Sequence, residues 1–279
     1  MLSTKRIGFM QGRLSPMVGE MIQSFPWTNW KNEFGIANKI GLSLMEWTLD
    51  QKNLRLNPVM NQTCHAEILF LCSKNNVSIP SLTGDCFMQF PFWKMTGKEQ
   101  KKYQSDFIDI IHNCSILNIK KVLIPLVDNG SIENKNHEEN LTKFLNAQSK
   151  LIKKLGLNIM FESDYSPYDL KNFINKFDSK CFGINYDTGN SASLGFDPID
   201  EIKCYGSRIV NVHIKDRVLK GNTVPLGDGN TQFDKIFREL NNIKYDGNFI
   251  LQTARSTDDV GSMKIYYKFL KDKIKKYEQ

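Results

Sequence analysis

Histidine is scarce in this chain, a glycine-rich phosphate loop is missing, and no apolar run approaches membrane length. Four histidines in 279 residues, at 65, 112, 137 and 213, leave little room for a histidine-rich metal cluster. Six cysteines are present, but no CxxC pair, so neither a zinc knuckle nor a disulfide framework is indicated. Several of them fall in apolar stretches, where a buried free thiol is expected. A membrane helix needs roughly 18–20 consecutive apolar residues, and none of the apolar runs is that long. The start, Met1 to Arg6, runs directly into Ile7–Met10, too short for a signal-peptide core. The expectation is a cytoplasmic protein with no membrane contact. Gly/Ser linkers and low-complexity blocks are also missing, so residues 1–279 are expected to form a single domain around one large core.

What is present is a soluble composition, 41% hydrophobic, with a net charge of +7. Much of the positive charge sits on six lysines between 264 and 276, spaced as on a helix. A solvated helix face accounts for them more simply than a polyanion-binding surface, so no nucleic-acid partner is expected.

Short apolar runs alternate with longer amphipathic ones. The apolar runs are Arg6–Met10, Leu42–Trp47, Val77–Leu82, Lys121–Pro125, Leu157–Glu162, Cys181–Asp187, Ile209–Ile214 and Gly247–Gln252, which read as eight strands. Helical stripes lie between them. One follows Glu33 and stops at Gly41, a helix C-cap. Another carries Phe107, Ile110, Ile111, Cys114 and Leu117. A third runs from Leu141 to Leu155 and ends at Gly156. Repeated strand–helix units imply a parallel sheet with helices outside. Eight units in this length fit a (β/α)8 TIM barrel. An open doubly wound sheet would carry a phosphate fingerprint after its first strand, but here that strand is followed by Gln11-Gly-Arg-Leu-Ser-Pro16.

In a barrel the functional groups sit at the C-terminal strand ends. Those ends carry Glu46, Asp85, Asp128, Glu162, Asp187, His213 with Lys215, and Gln252, while the strand interiors read as apolar. Glu162, Asp187 and His213 close three consecutive strands. Neighbouring strands lie about 4.8 Å apart, so these side chains can converge on one ion. Gln252, on the next strand, offers a neutral amide oxygen. Hydrogen bonding across the barrel mouth is the other use such residues could have.

Read in order, the segments Met10-Gln-Gly-Arg-Leu-Ser-Pro16, Met45-Glu-Trp47, Ser81-Leu-Thr-Gly-Asp85, Phe161-Glu162, Asp187-Thr-Gly-Asn190, Val212-His-Ile-Lys-Asp-Arg217 and Pro225-Leu-Gly-Asp-Gly229 resemble the xylose isomerase-like TIM-barrel superfamily. The likeness is to its sugar-phosphate isomerase/epimerase group, which includes ketose 3-epimerases, and it spans nearly the whole chain. The resemblance implies one divalent metal (Mn2+, Zn2+, Co2+ or Mg2+) held by Glu162, Asp187, His213 and Gln252. It also implies that Asn190 and Arg217 bind substrate oxygens, and that Glu162 transfers a proton as well as binding the ion.

Position 252 departs from the family, which has a second glutamate there. An amide oxygen can bind a metal but cannot accept and return a proton. Either Glu162 works alone, as in aldose–ketose isomerisation, or Lys215, Asp85 or Glu46 supplies the second acid. The expected activity is therefore isomerisation or epimerisation of a ketose, ketose phosphate or sugar acid through an enediolate. An inosose-type dehydratase using a metal-bound carboxylate and a lysine is the alternative. The AP endonucleases share the fold but need additional histidines at strand ends, where only His213 stands. A sugar-binding protein without activity is opposed by intact Glu162, Asn190 and Arg217.

Arg13, Lys94, Lys215 and Arg255 lie near strand ends and could meet a substrate phosphate or carboxylate. Gly227-Asp-Gly229 with Asn230 either presents N–H groups to an anion or makes a tight turn. Phe87 to Trp93 could wall the substrate or simply pack, and Trp27 and Trp30 read the same way. The partner expected is a small sugar or sugar phosphate. Self-association into a homo-oligomer is compatible with the sequence.

Overall fold

The structure, a computed structural model, describes residues 2–277. Eight parallel strands close a barrel: β1 (Ile7–Met10), β2 (Leu44–Thr48), β3 (Ser78–Thr83), β4 (Lys121–Leu126), β5 (Asn158–Ser163), β6 (Phe182–Asp187), β7 (Ile209–Ile214) and β8 (Asn248–Leu251). They follow one another around the ring, and β8 returns to β1 through Ile7↔Phe249, Gly8↔Ile250 and Phe9↔Leu251. Every expected strand is present, displaced at its ends by no more than two residues. The (β/α)8 barrel is therefore the fold.

Among the described residues ten helices surround the strands: α1 (Trp30–Ile40), α2 (His65–Asn75), α3 (Asp85–Gln89), α4 (Gly97–Ile116), α5 (Lys135–Lys154), α6 (Pro167–Ile174), α7 (Thr188–Leu194), α8 (Pro198–Tyr205), α9 (Phe233–Asn242) and α10 (Asp259–Tyr277). In α1 the buried residues Trp30, Phe34 and Ala37 recur at i, i+4 and i+7 and face the strands. The helix stops where Gly41 turns left-handed (φ 85°) and its N–H bonds back to Asn38. Gly8 is required by closure, because a Cβ there would lie 2.8 Å from the Cβ of Leu44 on the neighbouring strand.

The main core lies between barrel and helices. Phe161 on β5 packs against Phe173 and Phe177, each with ring centroids 5.2 Å away. Truncating a fully buried aromatic of this kind costs about 3–5 kcal/mol. The segment from Phe87 to Trp93 belongs to this core: Phe87, Phe92 and Trp93 are buried, and Phe92 meets Phe107 and Phe144. Trp30 likewise packs on Trp47 and Phe25.

The reading of the strand interiors as apolar needs correction. Ser81, Asn185 and Asn211 are buried inside strands β3, β6 and β7. Together with Glu46, Thr83, Glu162 and His213 they form a polar layer inside the barrel. No helix among the described residues is long and apolar enough to cross a membrane.

Candidate metal centre and cavity

The strand ends surround a cavity of about 460 Å³. Glu162 is the last residue but one of β5, Asp187 ends β6, and His213 stands opposite Asp187 in the β6–β7 register. Their ligand atoms all lie within 4.8 Å of one another, and all three residues are buried. His213 Nδ1 is 3.3 Å from Glu162 Oε2 and 3.9 Å from Asp187 Oδ2. Neither His213 Nδ1 nor Asp187 Oδ2 has a hydrogen-bond partner, although both are buried. An unmet buried polar atom costs about 1–3 kcal/mol, and two of them beside the Glu162 carboxylate fit a cation. The donor set, one imidazole nitrogen and two carboxylates, suits a divalent first-row metal or magnesium.

The other atoms of these residues are committed. Asp187 Oδ1 caps α7 by accepting the Asn190 N–H at 2.7 Å. Glu162 Oε1 accepts Asn190 Nδ2 at 2.6 Å, and Oε2 accepts Asn185 Nδ2 at 2.8 Å. Burial opposes charge on His213, yet Glu46 and Glu162 outweigh it and raise the imidazole to about 10. The field at this point strongly favours positive charge.

Gln252 follows β8 and lines the cavity, its Oε1 3.5 Å from Lys215 Nζ. That ammonium also lies 3.5 Å from Asp187 Oδ2 and 3.3 Å from Asn190 Oδ1. Arg217 holds Asn190 Oδ1 through Nη1 at 2.8 Å and is itself fixed on the Gly221 carbonyl by Nε and Nη2. Asn190, Lys215 and Arg217 all line the cavity.

Arg13 and Asp85 face the same space. Arg13 is anchored by Nε to the Thr253 carbonyl at 3.0 Å and by Nη1 to the Ile22 carbonyl at 2.7 Å. Burial and the neighbouring Arg255 bring its guanidinium down to about 10. The Asp85 side chain accepts no hydrogen bond from any described residue. Burial, helped by Asp50 and Glu162, pushes its carboxyl well above the usual range. Asp128 and Asp164 complete this side.

Three residues expected to meet substrate stand outside the cavity lining. Glu46 is completely buried beneath the cavity and its oxygens are taken by Ser81, Thr83, Asn211 and His213. Arg255 is spent on the carbonyls of Gly12 and Ser15 and on Asp259 at 3.0 Å, outside the cavity lining. Lys94 pairs with Glu133 at 2.6 Å, also away from it. At Gly227-Asp-Gly229, which could present N–H groups to an anion or form a tight turn, the backbone is already engaged. The N–H groups of Gly227, Gly229 and Thr231 all donate to the buried carboxylate of Asp216, at 2.8–3.0 Å. From the apolar run after β3, only Met88 and Gln89 reach the cavity.

Asp164 of the cavity wall escaped sequence reasoning, and so did two residues beneath it, Asn185 and Asn211. Each asparagine lies two positions before a ligand candidate, Asp187 or His213, and so on the same face of its strand. An asparagine at that spacing within an apolar run was the available signal.

The chain belongs to the xylose isomerase-like TIM barrel family, whose model matches residues 34–273. Among curated proteins it is 28% identical over 156 residues to an inosose dehydratase of Bacillus cereus (strain AH820), covering 47% of this chain. The match spans about half, 52%, of the dehydratase's own length. A longer match, 21% identical over 241 residues, covers 80% of this chain and 83% of an Escherichia coli (strain K12) protein, SgbU, provisionally named an L-ribulose-5-phosphate 3-epimerase. Among solved structures, the E. coli 3-keto-D-glucoside 4-epimerase YcjR superposes with a TM-score of 0.71 at 14% identity, covering 96% of this chain and 99% of that one.

Proposed function

We propose that the protein is a divalent-metal-dependent isomerase or epimerase acting on a ketose, a ketose phosphate or a related sugar acid through an enediolate. The observation that carries this reading is the pair of buried atoms without a hydrogen bond, His213 Nδ1 and Asp187 Oδ2, beside Glu162 at the floor of the cavity. Glu162, Asp187 and His213 would hold the ion, with the amide oxygen of Gln252 as a fourth donor. Mn2+, Zn2+, Co2+ and Mg2+ all suit that set. When bound, the ion supplies a Lewis acid beside the substrate carbonyl.

The chain's own groups supply the rest. Glu162 takes the proton from the carbon next to the carbonyl, its carboxylate aimed by Asn185 and Asn190. Lys215 returns a proton, since Gln252 cannot, and its position in the cavity beside Gln252 supports that role. Asn190 and Arg217 present hydrogen bonds to substrate oxygens. Asp85, Asp128 and Asp164 give the far wall three carboxyl groups, which suit hydroxyls better than a phosphate dianion. Arg13 is the cation on that side. A free ketose or keto-sugar therefore fits this wall better than a phosphorylated one. The epimerase assignments of the longer sequence match and of YcjR support the reaction class.

The test is solvent deuterium exchange by the metal-loaded protein into matched panels of ketoses and ketose phosphates. Exchange at a carbon flanking the carbonyl is the expected result. Its absence across both panels, with metal bound, would sink the enediolate reading. Dehydration is the second reading, favoured by the lysine ammonium beside Gln252 and by the match to the inosose dehydratase. Release of water with formation of an unsaturated or diketo product would establish it instead.

A further inference from the structure

Glu46 ends up in a place that its position at a strand end did not announce. It lies inside β2, paired in register with Met10 and Ser81, and is completely buried. No part of it lines the cavity. Ser81 Oγ donates to Oε2 at 2.6 Å, and Thr83 Oγ1 donates to Oε1 at 2.5 Å. Asn211 Nδ2 reaches Oε2 at 3.0 Å, and His213 Nε2 stands 2.7 Å from Oε1. A carboxylate only accepts, so the imidazole nitrogen facing it carries the hydrogen. In the neutral ring that a metal requires, Nδ1, the atom facing Glu162 and Asp187, is then the bare nitrogen.

A second arm leaves the same carboxylate. Asn211 Nδ2 also reaches Asn185 Oδ1 at 2.9 Å, and Asn185 Nδ2 goes on to Glu162 Oε2 at 2.8 Å. Asn185 and Asn211 face each other in the β6–β7 register, so neighbouring strands span the gap without a loop. Both arms start on Glu46, and each ends on a different member of the Glu162–Asp187–His213 group.

We infer that Glu46 is the positioning residue of the metal centre: it holds His213 as the Nε2–H tautomer with Nδ1 toward the ion and, through Asn211 and Asn185, sets the orientation of Glu162. This rests on the metal-centre reading above. Glu46 touches neither ion nor substrate and acts only through other side chains. Buried partners of metal-bound histidines typically change metal affinity by about 10–100-fold when altered.

Two measurements test this. The first uses the Zn2+-loaded protein labelled with 15N-histidine, where four histidines make the spectrum assignable and His213→Gln identifies the relevant signal. Expected are a protonated Nε2 and a metal-bound Nδ1. The reverse pattern overturns the inference. The second is a Co2+ titration of Glu46→Gln followed by visible absorption. Binding about 10–100-fold weaker than wild type, with a displaced ligand-field band, is expected. Wild-type affinity with an unchanged band overturns the inference and leaves the metal centre standing. If the wild type itself binds neither Co2+ nor Zn2+, the metal-centre reading falls and takes the inference with it. Should Glu46→Gln fail to fold, the tautomer measured in the wild type decides the matter.

Discussion

Replacing Glu162 by glutamine changes one atom, and the surroundings give that atom no good place. One carboxylate oxygen accepts Asn190 Nδ2 at 2.6 Å and the other accepts Asn185 Nδ2 at 2.8 Å. Neither asparagine is free to turn over. The Asn190 carbonyl oxygen already accepts from Arg217 and Lys215, and that of Asn185 accepts from Asn211. The new amide NH2 must therefore face a donor, whichever way it lies. A lost hydrogen bond with a buried polar group left over costs about 1–3 kcal/mol. Loss of the proton acceptor removes a further factor of about 10²–10⁴ in rate, or about 3–5 kcal/mol of activation free energy. Glu162→Gln should thus lower deuterium exchange into an active ketose by at least about a hundredfold. NMR of the exchanging carbon measures the rate, and equilibrium dialysis measures the bound metal. Exchange within threefold of wild type, with metal bound, would refute the role given to this carboxylate.

Gln252→Glu should retain the metal and add a proton-transfer group on the second face, so that epimers of an active ketose interconvert faster by chiral chromatography; a variant that loses its metal would contradict the placing of this side chain. Lys215→Met should lower kcat by about a hundredfold or more with a smaller change in KM, and an unchanged kcat would remove Lys215 from the chemistry. Glu33 predicts a pH effect on stability. Its carboxyl holds the N–H groups of Gly12 and Leu14, and burial raises it from 4.5 to about 7 against their pull. The folded protein then holds this proton more tightly than the unfolded chain. The resulting stability is complete below pH 4.5 and lost as pH rises through about 7, roughly 3 kcal/mol in all. Glu33→Gln should flatten the corresponding part of the Tm–pH curve, and a curve identical to wild type would show that Glu33 does not cause it.

The barrel was legible because its strands, buried on both faces, read as nearly continuous apolar runs closed by ionisable residues. Glu162, Asp187 and His213 could be picked out for the same reason: each closes its run and interrupts it chemically. Glu46 looked equivalent, since it too stands near the end of a run. Its difference lies in depth. Pairing with Ser81, one strand over, places it a layer below the cavity floor, and depth depends on the stagger between strands, which no single strand encodes. Arg255 and Lys94 misled for another reason. Long flexible cations near a strand end can turn inward or outward, and here Asp259, Glu133 and loop carbonyls claim them. The Asn185–Asn211 link stayed hidden because an asparagine within an apolar run carries no charge to mark it, although its spacing from the ligands was in plain view.

The buried carboxylate of Asp216 has a consequence for evolution and design. It sits among three backbone N–H groups of the 227–231 turn much as a phosphate oxygen would, so the loop carries its own tethered counter-ligand. The two segments joined in this way, Val212 to Arg217 and Pro225 to Gly229, are among those that carry the resemblance in sequence. An anion already supplied by the chain denies that nest to any arriving sugar phosphate. It also fixes the loop by the chain's own hydrogen bonds, so that on the proposed reading the adjoining Arg217 would be in place before a sugar arrives.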